Sequence, residues 1–303
     1  MLKLHRITSS LGLAAATVLL TGTSVAHAAT GAVPAQKTDP QFHARLPQSV
    51  QAVGKLVSVN NGSFPPYSIV TGPNALEGAS GDFSVALGQL LGIAVVHESV
   101  SGLSSLLGGI KGHRYDVSIS PVGDFPDREA AVDFIDYAQE FVVFAVPRGN
   151  PNAITSLEST CGRIVAVMAA GSAEKVMKAQ EIACRAAGKP AVKVLAFSDQ
   201  PTAILAVRSK RADALFSSQA ALSYFVQQSS GELELAGKHQ DNGFHDLYQG
   251  AVVAKDSPLG PLLVDAFQRL LDNGTYAAIM KKWGLGDNAI PRIGLNLSGK
   301  GAK

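Results

Sequence analysis

The stretch YDVSISPVGDFPDREAAVDFIDYAQEF, residues 115–141, decides how the chain is read. Residues 115–120 alternate as a buried strand, a short loop follows, and Pro126 opens a helix start just before Arg128. A strand that runs into a helix N-terminus beside an arginine is suited to hold an anion. Backbone N–H groups point outward there, the helix dipole is positive, and a guanidinium adds a two-pronged grip that matches a carboxylate. The alternative is a surface arginine paired with Asp127 or Glu129.

On the N-terminal side, LVSVNN (56–61) alternates as a strand and breaks at GSFPPY (62–67), a loop fixed by two prolines. Phe83, Ala86, Leu87, Leu90 and Leu91 share a helical face, residues 93–100 read as a strand, and Leu103, Leu106, Leu107 and Ile110 mark another helix. On the C-terminal side, residues 141–151 form a strand running into a crossing segment. A second series then opens, with strands at 163–169, 191–197, 213–216 and 249–255. Between and after them come helices that begin near 172 and at 201–208, 219–228, 259–271 and 275–283. Strands that alternate with helices predict an α/β fold with a parallel-rich sheet, and two such series predict two lobes with a cleft.

Residues 1–28 read as a secretory signal peptide. Lys3 and Arg6 precede an apolar run too short to span a bilayer, and Ala26-His27-Ala28 fits a cleavage site with no cysteine for a lipid anchor. Residues 29–49 read as a loose N-terminal arm and 289–303 as a tail. Without Lys3 and Arg6, 24 basic residues balance 24 acidic ones, so nothing favours nucleic acid or a charged membrane surface. The expected compartment is a periplasm. Two cysteines, Cys161 and Cys184, predict a disulfide in an exported chain; a catalytic thiol has no histidine nearby in sequence. His97, His113, His239 and His245 show no metal-ligand spacing, and Gly171 lacks the lysine a phosphate loop needs. No cofactor and no metal are expected.

Several segments taken in order resemble a known family. They are NGSFPPY (61–67), the helix entry from Gly78 to Gly92, YDVSIS with FPDR and VDF (115–134), AGS (170–172), and DNGTY with KKW (272–283). The pattern is similar to that of the periplasmic solute-binding proteins for polar amino acids that serve ABC importers, with a type II periplasmic binding fold. The resemblance covers about residues 53–286. It implies a discontinuous first lobe, 50–145 plus 251–288, a second lobe, 146–250, and hinge crossings near Val146 and Gly250. Each lobe would carry a mixed, mostly parallel sheet flanked by helices. Cys161 and Cys184 also sit where some members carry a disulfide.

The resemblance further implies site residues. Arg128 would pair with a ligand carboxylate, helped by the N–H of Gly123 and, from the other lobe, by Gly171 and Ser172. A carbonyl of the Ser120–Pro121 segment would accept from the ligand ammonium. Phe64 would cover the ligand side chain, and Leu103 would replace an aromatic wall. The departures concern specificity. Ser218 stands where the family's ammonium-binding aspartate falls, and Asn61 stands where binders of basic amino acids often carry an aspartate. Ala79 and Ser80 replace a Phe-Asp pair, and Phe125 replaces a threonine cap, which leaves Asp124 to cap the Arg128 helix. A cationic ligand such as lysine or arginine would then be left unpaired. His245, Asp246, Tyr248, Gln249 and Gln219 are candidates to replace the acid; the alternative is a ligand with no primary ammonium, an organic acid or an acylated or alkylated amino acid, or a zwitterion held through carbonyls.

The implied function is a monomeric, non-catalytic binding protein that delivers an amino acid or related carboxylate to an ABC importer's membrane permease. A dehydratase of the cyclohexadienyl type on the same scaffold, with Glu174 or Asp82 as its acid, is the enzymatic alternative. A sensor for a membrane receptor is the third.

Overall fold

The computed structural model describes residues 33–238 and 240–300; the signal-peptide segment and His239 lie outside them. The described chain begins with two short helices, α1 (Pro40–Ala44) and α2 (Gln48–Val53), followed by β1 (Lys55–Asn60), a hairpin of β2 (Ile69–Gly72) and β3 (Ala75–Glu77), and α3 (Ala79–Leu91). Next come β4 (Ala94–Ser99), α4 (Leu103–Lys111), β5 (Ser118–Gly123), α5 (Pro126–Glu129) and β6 (Val132–Glu140). The chain then enters a second sheet through β7 (Val142–Pro147), β8 (Ile164–Met168), α6 (Ser172–Ala186), β9 (Lys193–Phe197), α7 (Gln200–Arg208), β10 (Ala214–Ser218), α8 (Gln219–Gln228) and β11 (Leu233–Ala236). It returns along β12 (Leu247–Ala254) and closes with α9 (Leu259–Asp272), α10 (Thr275–Lys282), β13 (Ala289–Leu295) and α11 (Leu297–Lys300).

Each lobe is a sheet with both faces covered. In the first, period-two alternation along β6 sends Ile135 and Tyr137 to the core under α3, α9 and α10. It sends Val132 and Phe134 to the core under α4. Phe83, Tyr137 and Phe267 form the aromatic centre of the larger core, with Tyr137 stacked on Phe267 at 4.9 Å between ring centroids. Each such ring, fully buried, contributes on the order of 2–3 kcal/mol. In the second lobe, Phe144 and Phe216 stack at 4.6 Å on the face covered by α6, and α7 and α8 cover the other.

The second sheet has the order β11-β7-β10-β8-β9, parallel from β10 through β8 to β9. The first lobe's four-stranded sheet, β13-β6-β12-β5, pairs antiparallel throughout, and parallel pairing there is confined to β1–β4 and a bridge from Ser58 to Val117. The reason is topological. β6 carries the chain out of the first lobe and β12 brings it back, so the neighbouring strands must run in opposite directions. A bulge between Gln249 and Gly250 sits in this pair, and a Cβ at Gly250 would overlap the Ile135 carbonyl.

The structure corrects three expectations. The crossings lie elsewhere than Val146 and Gly250, because β7 already pairs with β10 and β11 from Val142 and β12 pairs with β6 from Leu247. The chain therefore leaves at Phe141 and returns between Ala236 and Leu247. The described part of the N-terminal arm is docked: Asp39 caps α1, Phe42 and Leu46 are buried in the first core, and Arg269 pairs with Asp39. Residues 289–300 are not a tail. β13 is an edge strand on β6 with Ile290 and Ile293 in the core, and its pairing is interrupted between Ala289 and Gly294, where Pro291 falls.

Cys161 and Cys184 are bonded, with Cα atoms 5.6 Å apart and a sequence separation of 23. The bond ties the segment before β8 to the end of α6. Replacing both with serine should lower unfolding stability by about 3 kcal/mol in the chain-entropy picture, which urea denaturation under oxidising conditions measures.

Candidate functional site

The carboxyl ends of the second sheet's parallel strands meet the first lobe's loops around one cavity, the place where α/β sheets hold ligands. The first lobe contributes Asn61, Ser63, Phe64, Leu103 and the Pro121–Gly123 segment with Arg128. The second contributes Met168, Gly171 and Ser172 after β8, Asp199 and Gln200 after β9, and Ser217 and Ser218 at the end of β10. Val142, Leu247 and Gln249, next to the crossings, complete the wall.

Arg128 lies in α5, just past the Asp124–Phe125 turn that follows β5. Its Nη1 donates to the Gly123 carbonyl at 2.8 Å and its Nη2 donates across the cleft to the Ala170 carbonyl at 3.1 Å. The guanidinium also lies 5.0 Å from the centre of the Phe125 ring. Among the described residues no carboxylate pairs with it, because Asp127 is taken by Lys175 at 3.0 Å. Burial pushes the Arg128 pKa below the ordinary guanidinium value against the pull of Asp127 and Asp124, so the site holds a half-buried cation bonded to two carbonyl oxygens and in direct ion pair with neither acid.

Opposite it, α6 starts at Ser172 with Gly171 as its N-cap residue and no side chain capping the helix. Its first N–H groups are therefore open to a ligand. Ala170 holds the turn in a left-handed conformation, φ 58°, which costs a non-glycine residue roughly 1–2 kcal/mol. Its N–H donates to Glu174 Oε2 at 2.7 Å and its carbonyl accepts from Arg128, so both sides of the strained peptide are engaged.

Nine of the ten residues picked from sequence line this cavity: Asn61, Phe64, Leu103, Pro121, Gly123, Arg128, Gly171, Ser172 and Ser218. Ser120 does not. It is buried one layer back, its hydroxyl bonded to Ser68 at 2.6 Å and its carbonyl accepting from Ser118 Oγ at 3.0 Å. Of the proposed substitutes for the missing acid, Gln249 reaches the cavity. His245, Asp246 and Tyr248 line a separate depression with Phe125, and Gln219 lies on the far side beside Trp283. Asp124 does not cap α5; its carboxylate accepts from the Ser298 N–H at 3.0 Å, and Phe125 takes the cap position without a side-chain bond.

Sequence reasoning missed Asp199, the one carboxylate among the described residues of the wall. It caps α7, accepting from the Thr202 N–H at 2.8 Å and the Ser198 hydroxyl at 3.0 Å. Burial opposes its charge, but these bonds prevail and hold its pKa below the usual carboxylate value. Its position directly after a parallel strand was the available signal, since ligands in α/β sheets gather outside the carboxyl ends of strands. Gln200 was missed as well. Its Nε2 donates to Ser217 Oγ at 2.7 Å, and its Oε1, like that of Gln249, is buried without a partner. With Asp199 in the wall, a cationic side chain need not be left unpaired there, contrary to the expectation from Ser218 and Asn61.

A two-lobed α/β frame, with an unpaired arginine and an uncapped helix start facing each other across a cleft, has a counterpart among known proteins. The model of the bacterial extracellular solute-binding proteins, family 3, matches residues 56–286. The chain belongs to that family. Among family 3 relatives, the arginine-binding protein ArgT of Corynebacterium glutamicum is 26% identical over 262 residues, 85% of this chain and 83% of that one. An ancestral arginine-binding protein solved with arginine is 26% identical, with a TM-score of 0.66 over 76% of this chain and 98% of its own. An ancestral amino acid-binding protein described as a precursor of cyclohexadienyl dehydratase superposes with a TM-score of 0.68 at 20% identity, over 78% and 97% of the two chains, which speaks to the fold alone. Family 3 membership makes this chain an extracellular solute-binding protein with the type II periplasmic binding architecture.

Proposed function

We propose that the protein captures an α-amino acid between its lobes and hands it to an ABC importer, acting as a monomer in the periplasm. The observation that carries this reading is the Arg128 guanidinium, set in the cavity wall by two carbonyl oxygens and matched by no carboxylate. A ligand carboxylate supplies the missing charge, and the N–H groups at the start of α6 grip it from the other lobe. The ammonium faces Ser218 and the aliphatic carbons of the ligand side chain pack on Phe64 and Leu103. The ligand side chain runs toward Asp199 and the unpartnered carbonyls of Gln200 and Gln249. Three acceptors and no second cation favour a side chain rich in N–H donors, an amide or a guanidinium. The arginine-binding relatives agree with that class.

Catalysis is not part of this reading. Asp82 is held by Trp283 Nε1 at 2.7 Å and Lys282 at 2.8 Å, and Glu174 by Lys178 and the Ala170 N–H. Asp199, kept ionised by its donors, is an acceptor and a poor proton donor at neutral pH.

A thermal-shift screen across the common amino acids tests the reading. L-glutamine or L-arginine at about 100 times its dissociation constant should stabilise the fold by about 2.7 kcal/mol. A screen in which no α-amino acid raises the melting temperature contradicts it.

A further inference from the structure

We infer that Glu140, acting through the Ser218 hydroxyl, is the carboxylate that compensates the ligand ammonium, an inference that rests on the amino-acid reading above. Ser218 lines the cavity, and its Oγ donates its one proton to Glu140 Oε2 in a short hydrogen bond. With its proton committed, the hydroxyl can offer the cavity only lone pairs, and the carboxylate behind it strengthens them as acceptors. The acid absent from position 218 is thus present one hydroxyl further back, on the last residue of β6.

Glu140 is 3% exposed, and its other partners are neutral: the Phe141 N–H at 3.1 Å and Asn288 Nδ2 at 2.8 Å, both on Oε1. It also stands at the start of α8, whose dipole favours a negative charge there. Among the described residues no cation pairs with it: Arg292 on the neighbouring β13 is exposed, and Lys282 of α10 is paired with Asp82. Residues 214–228 and 247–254 contain no charged side chain, the turn at 286–288 brings only Asp287, and Asp246 precedes β12. The nearby titratable groups are the buried hydroxyls of Tyr67, Tyr137 and Tyr276 and the phenol of Tyr248 on β12. A buried carboxylate without a counter-ion, one hydroxyl from a ligand cavity, is completed by a ligand cation. Burial pushes the Glu140 carboxyl up to about 7, so a bound ammonium would favour release of its proton near neutrality. Glu140 is a positioning residue: it sets the polarity of Ser218 and touches no ligand itself.

The test is calorimetric titration of L-glutamine and L-arginine, each against its 2-hydroxy analogue, on wild type, Glu140→Gln and Ser218→Ala. Wild type should prefer the amino compound strongly. Glu140→Gln should reduce that preference by about tenfold or more while leaving the hydroxy compound within about threefold, as expected when a charge-assisted contact becomes a neutral one. Wild-type affinity for the amino compound should rise from pH 6 to pH 8, and in Glu140→Gln that rise should vanish. If Glu140→Gln does not fold, Ser218→Ala, which keeps the carboxylate and breaks the link, should show the same loss of preference. An unchanged amino-to-hydroxy preference and pH profile in the variants overturns the role of Glu140 and leaves the amino-acid reading standing. Wild type that binds neither amino acid overturns both.

Discussion

Arg128→Ala should weaken amino-acid binding by thirtyfold or more. Truncating one member of a buried, hydrogen-bonded charge pair costs roughly 2–5 kcal/mol, much of it from the charge left behind. Here the ligand carboxylate would enter a wall with no other cation among the described residues. Arg128→Lys should recover only part of the loss. An ammonium cannot donate to Gly123 and Ala170 and still present a planar fork to the ligand. The fold should tolerate the change, because Arg128 belongs to neither lobe's core. Calorimetric titration of the wild type and both variants measures the effect, and equal affinities would remove Arg128 from the site.

The second large effect is on stability. Glu140 is pushed up to about 7 by burial, and Asp124 and Asp136, packed against each other beneath the 296–299 segment, are also pushed upward by burial. A carboxyl whose folded pKa exceeds its unfolded value binds more protons in the folded state, so its contribution is present at low pH and fades as pH rises. For Glu140 the window runs from about 4.5 to about 7, worth on the order of 3 kcal/mol, and the aspartate pair adds in the same direction. Asp127, Asp133 and Asp199 have lowered pKa values and act oppositely only as pH falls through the ordinary carboxylate range, while His97, a histidine lowered by burial, opposes the three raised carboxyls within the window. The ligand-free protein should therefore melt at a higher temperature near pH 5 than near pH 8. Asp136→Asn should flatten that slope. Melting temperatures that rise from pH 5 to pH 8 would mean these three groups are ionised at little cost.

The residues between Tyr115 and Phe141 were the most informative in the sequence because their physics is local. Alternation made β5 and β6 visible, Pro126 marked a helix start, and Arg128 followed within one turn. What could not be read locally was what the second lobe brings to them. Asp199 went unnoticed because its capping bonds are local and the cavity is not. Glu140 went unnoticed because its partner Ser218 is 78 positions away and Asn288 is 148. The edge strand at 289–295 escaped because Pro291 and Gly294 interrupt its alternation, and only its two isoleucines are fully buried. The Arg128 end of the site was thus legible, and the end around Ser218 was not.

If Arg128 pairs with an α-carboxylate inside the cleft, the two charges are coupled. A calorimetric cycle measures this, with wild type and Arg128→Ala each titrated with L-glutamine or L-arginine and with the matching α-carboxamide. Removing either charge should weaken binding by about thirtyfold or more, and removing both should cost little more than removing one, a coupling of roughly 2–3 kcal/mol. Two losses that simply add would contradict it, because the carboxylate and the guanidinium would then act at separate places.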